Sequence, residues 1–456
     1  MTIKTFSHAL RRGLGSAIIE LQTNPNREQY KNIVLRCCLN DIAYDTQTEG
    51  SRGYYLYTAI KTFDDSKIFL DKMIEKFGKR PYWRLSEQLF NTLNCFANDG
   101  SEAAREALEN KYDELKKRLP MMRNYNHGIY EREQLESLMI RKLDGGFKAF
   151  KQCVNDMGEM IVRRGNSDCL WHDWFLYNAK EKFGEKRVND YIDEMSKKSD
   201  VVKALSDAIK AYKLLKEQHK FTESQEKVTV DMLVKVAKNS VSEEYPRGAI
   251  MRYRHMFMKN ASETEILKLA NAVLQEKDDD VKGLLLRCFW RRPFPLDITP
   301  LLQYVQSDNE LLEEAAISTL EETKDKRIHD IAIKLLKEKG IKSLTFGLLK
   351  KNYIKSDDEV IFTAIKKSGN IPQHIQADIN DIYTHHRSAS AFPILLRVYQ
   401  KGECSHCRYD TVRAMRHCGV LPDAIIEECL YDSYDETRKM AQRIKSRKDK
   451  DVKKCF

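Results

Sequence analysis

The segment Asp168-Cys169-Leu170-Trp171-His172-Asp173-Trp174-Phe175 gathers the side chains best suited to chemistry in this chain. Trp171 and Trp174 stand three apart, so on a helix they share a face, with Asp173 beside them. Paired indoles offer flat apolar faces and the adjacent carboxylate a negative charge, the side-chain types of a binding wall. The plainer use of the same residues packs both tryptophans into a core and leaves His172 and Asp173 in water.

Basic residues interleaved with aromatics recur in Lys79-Arg80-Pro81-Tyr82-Trp83-Arg84, in Arg252-Tyr253-Arg254-His255 and in Arg287-Cys288-Phe289-Trp290-Arg291-Arg292. Arg80, Trp83, Arg84, Arg252, Arg254, Trp290, Arg291 and Arg292 are therefore candidate binding residues: cations neutralise phosphates and rings stack on exposed bases. Phe289 and Trp290 follow an apolar run, so closing a core is their competing use. In Glu49-Gly50-Ser51-Arg52-Gly53, two glycines permit a tight turn that presents Arg52 to an anion or partner, or folds Glu49 back onto Arg52 in a helix connection. Cys404, His406 and Cys407 have the ligand types for zinc, with His417-Cys418 further on. A structural zinc site needs four ligands in two clear pairs, and neighbours on one helix do not converge on one ion. No metal and no cofactor is expected. Gly-rich phosphate loops, nucleophile elbows and metalloprotease motifs are absent, so nothing compels an enzyme.

These residues must be positioned by helices. An apolar fraction of 42% supports a continuous core, and 32% charged residues suit thin helical layers with much exposed surface. The 78 basic and 68 acidic residues leave +10, which permits phosphate binding without demanding it. Eleven cysteines lack the dense spacing of a secreted scaffold and read as reduced thiols in a cytoplasmic protein. No apolar run approaches the ~18 residues that span a bilayer. The basic N-terminus reads as an ordinary first helix.

Apolar spacing predicts helices over Phe6 to Gln22, Glu28 to Tyr44, Glu102 to Arg118, Glu131 to Leu143, Phe147 to Val162, Leu170 to Phe183, Val188 to Met195 and Val201 to Leu215. Leu119-Pro120 and the polar segment Glu217 to Thr229 mark boundaries, giving regions 1–120, 121–222 and 223–456. The most regular stretch is Ser307 to Gly340. There Leu311, Leu312, Ala315, Ala316 and Leu320 fall on one face of a first helix, and Ile328, Ile331, Ala332, Leu335 and Leu336 on one face of a second. Shifted by 31 positions, Gln275, Leu284-Leu285 and Phe289 lie on Gln306, Ala315-Ala316 and Leu320. Tyr409-Asp410, Arg413 and Met415 recur 25 positions on as Tyr434-Asp435, Arg438 and Met440.

Paired helices opened by an acidic turn and carrying an Ala-rich contact face resemble the HEAT-like class of α-helical repeats. The resemblance covers roughly Ala249 to Ile444, more weakly Asp99 to Leu119 and Asp144 to Val162. Spacing wanders between about 25 and 40 residues and the usual inter-repeat proline is mostly missing, both departures from the pattern. The resemblance implies an all-α fold, an irregular HEAT-like α-solenoid built as a right-handed stack of antiparallel helix pairs with a concave binding surface. The tryptophan–acid segment is also similar, over a few residues, to HEAT-like alkylpurine DNA glycosylases. That likeness would make Asp173 the electrostatic catalyst and Trp171 and Trp174 the aromatic wall.

The leading expectation is a non-enzymatic scaffold binding a protein partner on its concave surface. The alternative is nucleic-acid binding, with base excision as its enzymatic extreme. No membrane partner and no small-molecule substrate is expected.

Overall fold

The structure, a computed structural model, describes residues 1–79, 81–121, 129–165, 173–225, 228–241, 246–289, 292–342 and 344–454; the side chains of 129, 218–225, 246, 247, 249 and 448–454 are outside the description. It is all-α. Among the described residues the only strand-like pairing is one isolated bridge between Ile371 and Gly402, and no helix is long and apolar enough to cross a membrane. The chain forms two compact units, the first comprising residues 1–46 and 50–222, the second Gln47–Glu49 and Glu223–Phe456.

In the first unit, the helix expected over Phe6 to Gln22 is two helices, Ile3–Arg12 and Gly15–Thr23. Gly13 separates them at φ 70°, and its N–H and that of Leu14 bond back to the last carbonyls of the first helix. Glu102–Arg118 has the expected bounds, its N-cap Ser101 accepting from the Ala104 N–H at 3.3 Å. Helices contact both their neighbours and the next helix but one: Gly53–Ile60 packs on Trp83–Asn98, and Ile129–Lys142 packs on Glu102–Arg118, Gly146–Arg164 and Asp173–Phe183. Close approach at one crossing depends on a missing side chain. A Cβ on Gly158, within Gly146–Arg164, would sit 2.2 Å from the Val201 carbonyl oxygen of Asp200–Gln225.

The polar segment taken as a linker, Glu217 to Thr229, instead continues the Asp200–Gln225 helix for most of its length. Its Glu, Gln and Lys residues are good helix formers, so the helix runs on although the division between the two units falls inside the segment, between Thr222 and Glu223. The next helix, Val230–Ser240, starts at Thr229, whose hydroxyl accepts from the Met232 N–H at 3.3 Å.

The second unit continues in short helices with side-chain caps. Ser262 and Glu265 form a reciprocal capping box, while Asp278, Asn309 and Asp325 cap Asp279–Leu286, Glu310–Leu320 and Lys326–Lys339. Asp279–Leu286 packs on Glu310–Leu320, Lys326–Lys339 on Asp358–Ile365, Gln373–His386 on Ser405–His417, and Ser405–His417 on Asp435–Lys454. Residues related by the 31-position shift share one environment: Leu284, Leu285, Phe289, Ala315, Ala316 and Leu320 are all buried. The 25-position echo repeats an ion pair as well, Arg413–Asp410 and Arg438–Asp435, each at 2.9 Å.

Candidate functional site

Asp173 opens the Asp173–Phe183 helix, and the face it shares with Trp174 and Tyr177 borders a groove of about 780 Å³ in the first unit. Leu176, Ile192 and Ile209 supply apolar lining, and the Asp200–Gln225 helix forms the other wall with Tyr212, Lys213 and Lys216. Trp174 is 67% exposed and Tyr177 57%, their rings edge-to-face at 6.2 Å. Core packing therefore does not describe Trp174. Its neighbour Phe175 is fully buried and takes that role instead. Trp171 lies outside the described residues.

Three of the four lysines that line the groove are paired with carboxylates. Lys216 bonds the Asp173 carboxylate at 2.8 Å and rests 4.3 Å from the Tyr212 ring centroid. Lys180 pairs with Glu185 at 3.1 Å and Lys210 approaches Asp207 at 4.0 Å. The hydrogen bond from Lys180 holds the Glu185 carboxyl below the usual range, with the Lys213 charge contributing.

One residue that sequence reading missed positions this wall. Glu136, buried on the Ile129–Lys142 helix, accepts the Phe175 backbone N–H at 2.8 Å and so caps the Trp174 helix from a neighbouring element. Burial pushes its carboxyl up to about 7, opposed by the bonds from the Phe175 and Trp174 backbone and assisted by the charges of Asp173 and Glu133. In the sequence Glu136 is one more acid on a helical stretch, and its partner is 39 residues away.

A second cavity in the first unit, of about 650 Å³, holds the Trp83 cluster. Trp83 stacks on Tyr130 with centroids at 4.6 Å and planes 3° apart, and the Arg84 guanidinium lies 5.2 Å from the Trp83 ring. Glu87 and Glu133 line the same cavity. Burial raises both carboxyls, and for Glu87 the charges of Glu133 and Asp41 add to it. Arg80 is outside the described residues.

In the second unit the two later basic clusters adjoin, since Arg254 Nη1 donates to the Arg287 carbonyl at 3.5 Å. Arg252 is exposed and Arg292 half-buried. Arg287 is turned to Glu314 at 2.6 Å, and Phe289 packs in the core on Phe294 at 5.2 Å. Trp290 and Arg291 are outside the described residues.

The expected loop tip at Glu49–Arg52 is not one. Thr46–Glu49 is a helical turn, Glu49 is 6% and Arg52 2% exposed, and the Glu49 carboxylate accepts the Ser405 backbone N–H within the second unit. That Ser405 opens the helix Ser405–His417, which carries the cysteine pair: Cys404 is its N-cap and Cys407 lies in its first turn. The Cys407 thiol, hydrogen-bonding to Cys404, brings the Cys404 thiol down to about 7 against burial and the Glu49 charge, while Cys407 itself is pushed up. His406 instead approaches Asp410 at 3.9 Å. Among the described residues no group of three or more Cys, His, Asp or Glu side chains could hold a metal ion.

Comparison with known proteins finds no matching family model, no matching curated protein and no matching solved structure.

Proposed function

We propose that this chain is a non-enzymatic scaffold, an irregular HEAT-like α-solenoid, that binds a protein partner by seating an apolar segment in the Trp174 groove. The repeat reading is supported by helices that pack on the next helix but one and by the shared burial of residues 31 positions apart. The binding reading rests on one observation: two large aromatic residues, Trp174 and Tyr177, stand exposed over a groove with apolar lining in which Lys180, Lys210 and Lys216 are paired with carboxylates. Aromatic anchors beside ion-paired lysines favour desolvation by another protein, since Trp and Tyr dominate interface energetics. A photo-crosslinking amino acid at Tyr177 identifies the partner, which is then purified. Trp174→Ala is expected to weaken its binding by about 30-fold, the effect of losing a ~2 kcal/mol anchor. An affinity unchanged by both Trp174→Ala and Tyr177→Ala defeats the proposal.

The second reading is nucleic-acid binding, favoured by the alternation of lysines with Tyr177 and Tyr212 along the same groove. Binding of single-stranded DNA or RNA that weakens steeply between low and moderate salt would support it. Base excision, its extreme, requires Asp173 to leave Lys216 and face a cationic sugar. Asp173→Asn must then abolish excision in a folded protein.

A further inference from the structure

The C-terminal end of the second unit carries a second feature, unrelated to the groove. Ser405–His417 and Asp435–Lys454 lie against each other and enclose a small polar cleft of about 280 Å³. The first helix contributes Tyr409, Arg413, Arg416 and His417, and the second contributes Arg443 and Arg447. The spacing is that of two facing helical stripes: 409, 413, 416 and 417 on one side, 440, 443, 444 and 447 on the other. Met440 is buried and Ile444 half-buried at its edge, so the helices are held by apolar contacts while their guanidinium groups reach solvent.

Four arginines line the cleft, and among the described side chains one of them has an acid partner. Asp410 pairs with Arg413 at 2.9 Å. Among the residues whose side chains are described, no carboxylate is ion-paired with Arg416, Arg443 or Arg447. The field is felt by His417, whose imidazole burial, followed by the charges of Arg413, Arg387 and Arg416, holds below its ordinary range. Tyr409 lies under the Arg413 guanidinium at 5.7 Å and contributes a phenol to the same cleft. Like charges gathered this way repel one another, and a bound anion relieves that repulsion.

We propose that this cleft binds the di- or triphosphate group of a small anionic ligand. Guanidinium groups match phosphate oxygens bidentately, and several from two rigid helices fix a compact anion. The size of the cleft separates ligand classes. A nucleic-acid strand would bring one phosphodiester, with one negative charge, into so small a volume; a terminal di- or triphosphate brings several, matching the guanidinium groups present.

Titration calorimetry of the full chain near physiological salt, with orthophosphate, pyrophosphate and tripolyphosphate as probes, tests this. Affinity is expected to rise in that order. Arg416→Gln and Arg443→Gln should each weaken tripolyphosphate by on the order of tenfold, the loss of one charge-assisted hydrogen bond. Arg163→Gln, an exposed arginine of the first unit, should change nothing. All three sites are exposed, and circular dichroism checks that the variants fold. Absence of tripolyphosphate binding at millimolar concentration overturns the proposal. So does equal weakening by Arg163→Gln, which would mean general charge attraction. A single-stranded oligonucleotide that binds through Arg416 and Arg443 and resists displacement by excess tripolyphosphate overturns it in favour of nucleic acid.

Discussion

Glu136 accepts the backbone N–H of Phe175 at 2.8 Å, so the helix that presents Trp174 is capped by a carboxylate from another helix, 39 residues earlier. Exposed aromatic side chains hold a direction only if their backbone is held, and this bond does so at the first turn. Burial opposes the charge that makes the cap strong, which places Glu136 near neutrality in its titration.

Because the Glu136 carboxyl is raised from the ordinary 4.5 to about 7, the folded chain holds its proton longer than the unfolded chain. Its contribution to stability is full below about 4.5 and is lost as pH rises through about 7. Glu136→Gln keeps an acceptor for the Phe175 N–H and removes the titration. The difference in unfolding free energy between variant and parent should therefore move in the variant's favour by roughly 1–3 kcal/mol between pH 4.5 and 8. Denaturant melts across that range measure it, and a constant difference would refute the assignment.

Gly158→Ala pits two magnitudes against each other. Alanine in a helix interior gains about 1 kcal/mol over glycine. Here its Cβ would meet the Val201 carbonyl oxygen at 2.2 Å and the carbonyl carbon at 2.7 Å, both backbone atoms that move only with their helix. Overpacking of that kind costs about 1–3 kcal/mol. The net expectation is destabilisation, with faster amide exchange in residues 200–217; a more stable variant would contradict it.

Of Cys37, Cys153, Cys288 and Cys404, only Cys404 should titrate near neutral pH. Burial pushes Cys37 up to about 11 and Cys153 and Cys288 up to about 12, whereas the bond from Cys407 brings Cys404 to about 7. Thiolate ultraviolet absorbance of the native protein should show a step near pH 7 that Cys404→Ser removes. Cys407→Ala should shift that step upward, because the donor is gone. A step unaffected by either substitution would contradict the pairing.

Arg408 and Asp432 form a buried two-point ion pair, Nε to Oδ2 at 2.7 Å and Nη2 to Oδ1 at 3.2 Å, with side chains 1% and 0% exposed. Asp432 also accepts the Tyr434 N–H at 2.8 Å. Asp432→Ala leaves the guanidinium without this counter-charge and should cost about 3–5 kcal/mol. Thermal unfolding of the variant measures this, and a loss below 1 kcal/mol would show that the site relaxes.

The sequence by itself determined the helical class and many element bounds. Periodicity and caps are local, so Glu102–Arg118 could be read from its own residues, as could the pair that became Glu310–Leu320 and Lys326–Lys339. The break at Gly13 is local as well, a glycine at φ 70° capping the first helix, but the apolar spacing runs on through it and hides the stop. Exposure and pairing were settled by tertiary structure. Trp174 and Phe175 are neighbours in sequence, yet one stands in solvent and the other is fully buried. Arg52, read as a presented cation, is enclosed, and Glu49 finds the Ser405 N–H 356 residues away. The Arg413–Arg447 cleft needs two helices side by side before its charges count as one site. Helix formation is decided within a few turns of chain, whereas burial, pKa and electrostatic field depend on groups that only folding brings near.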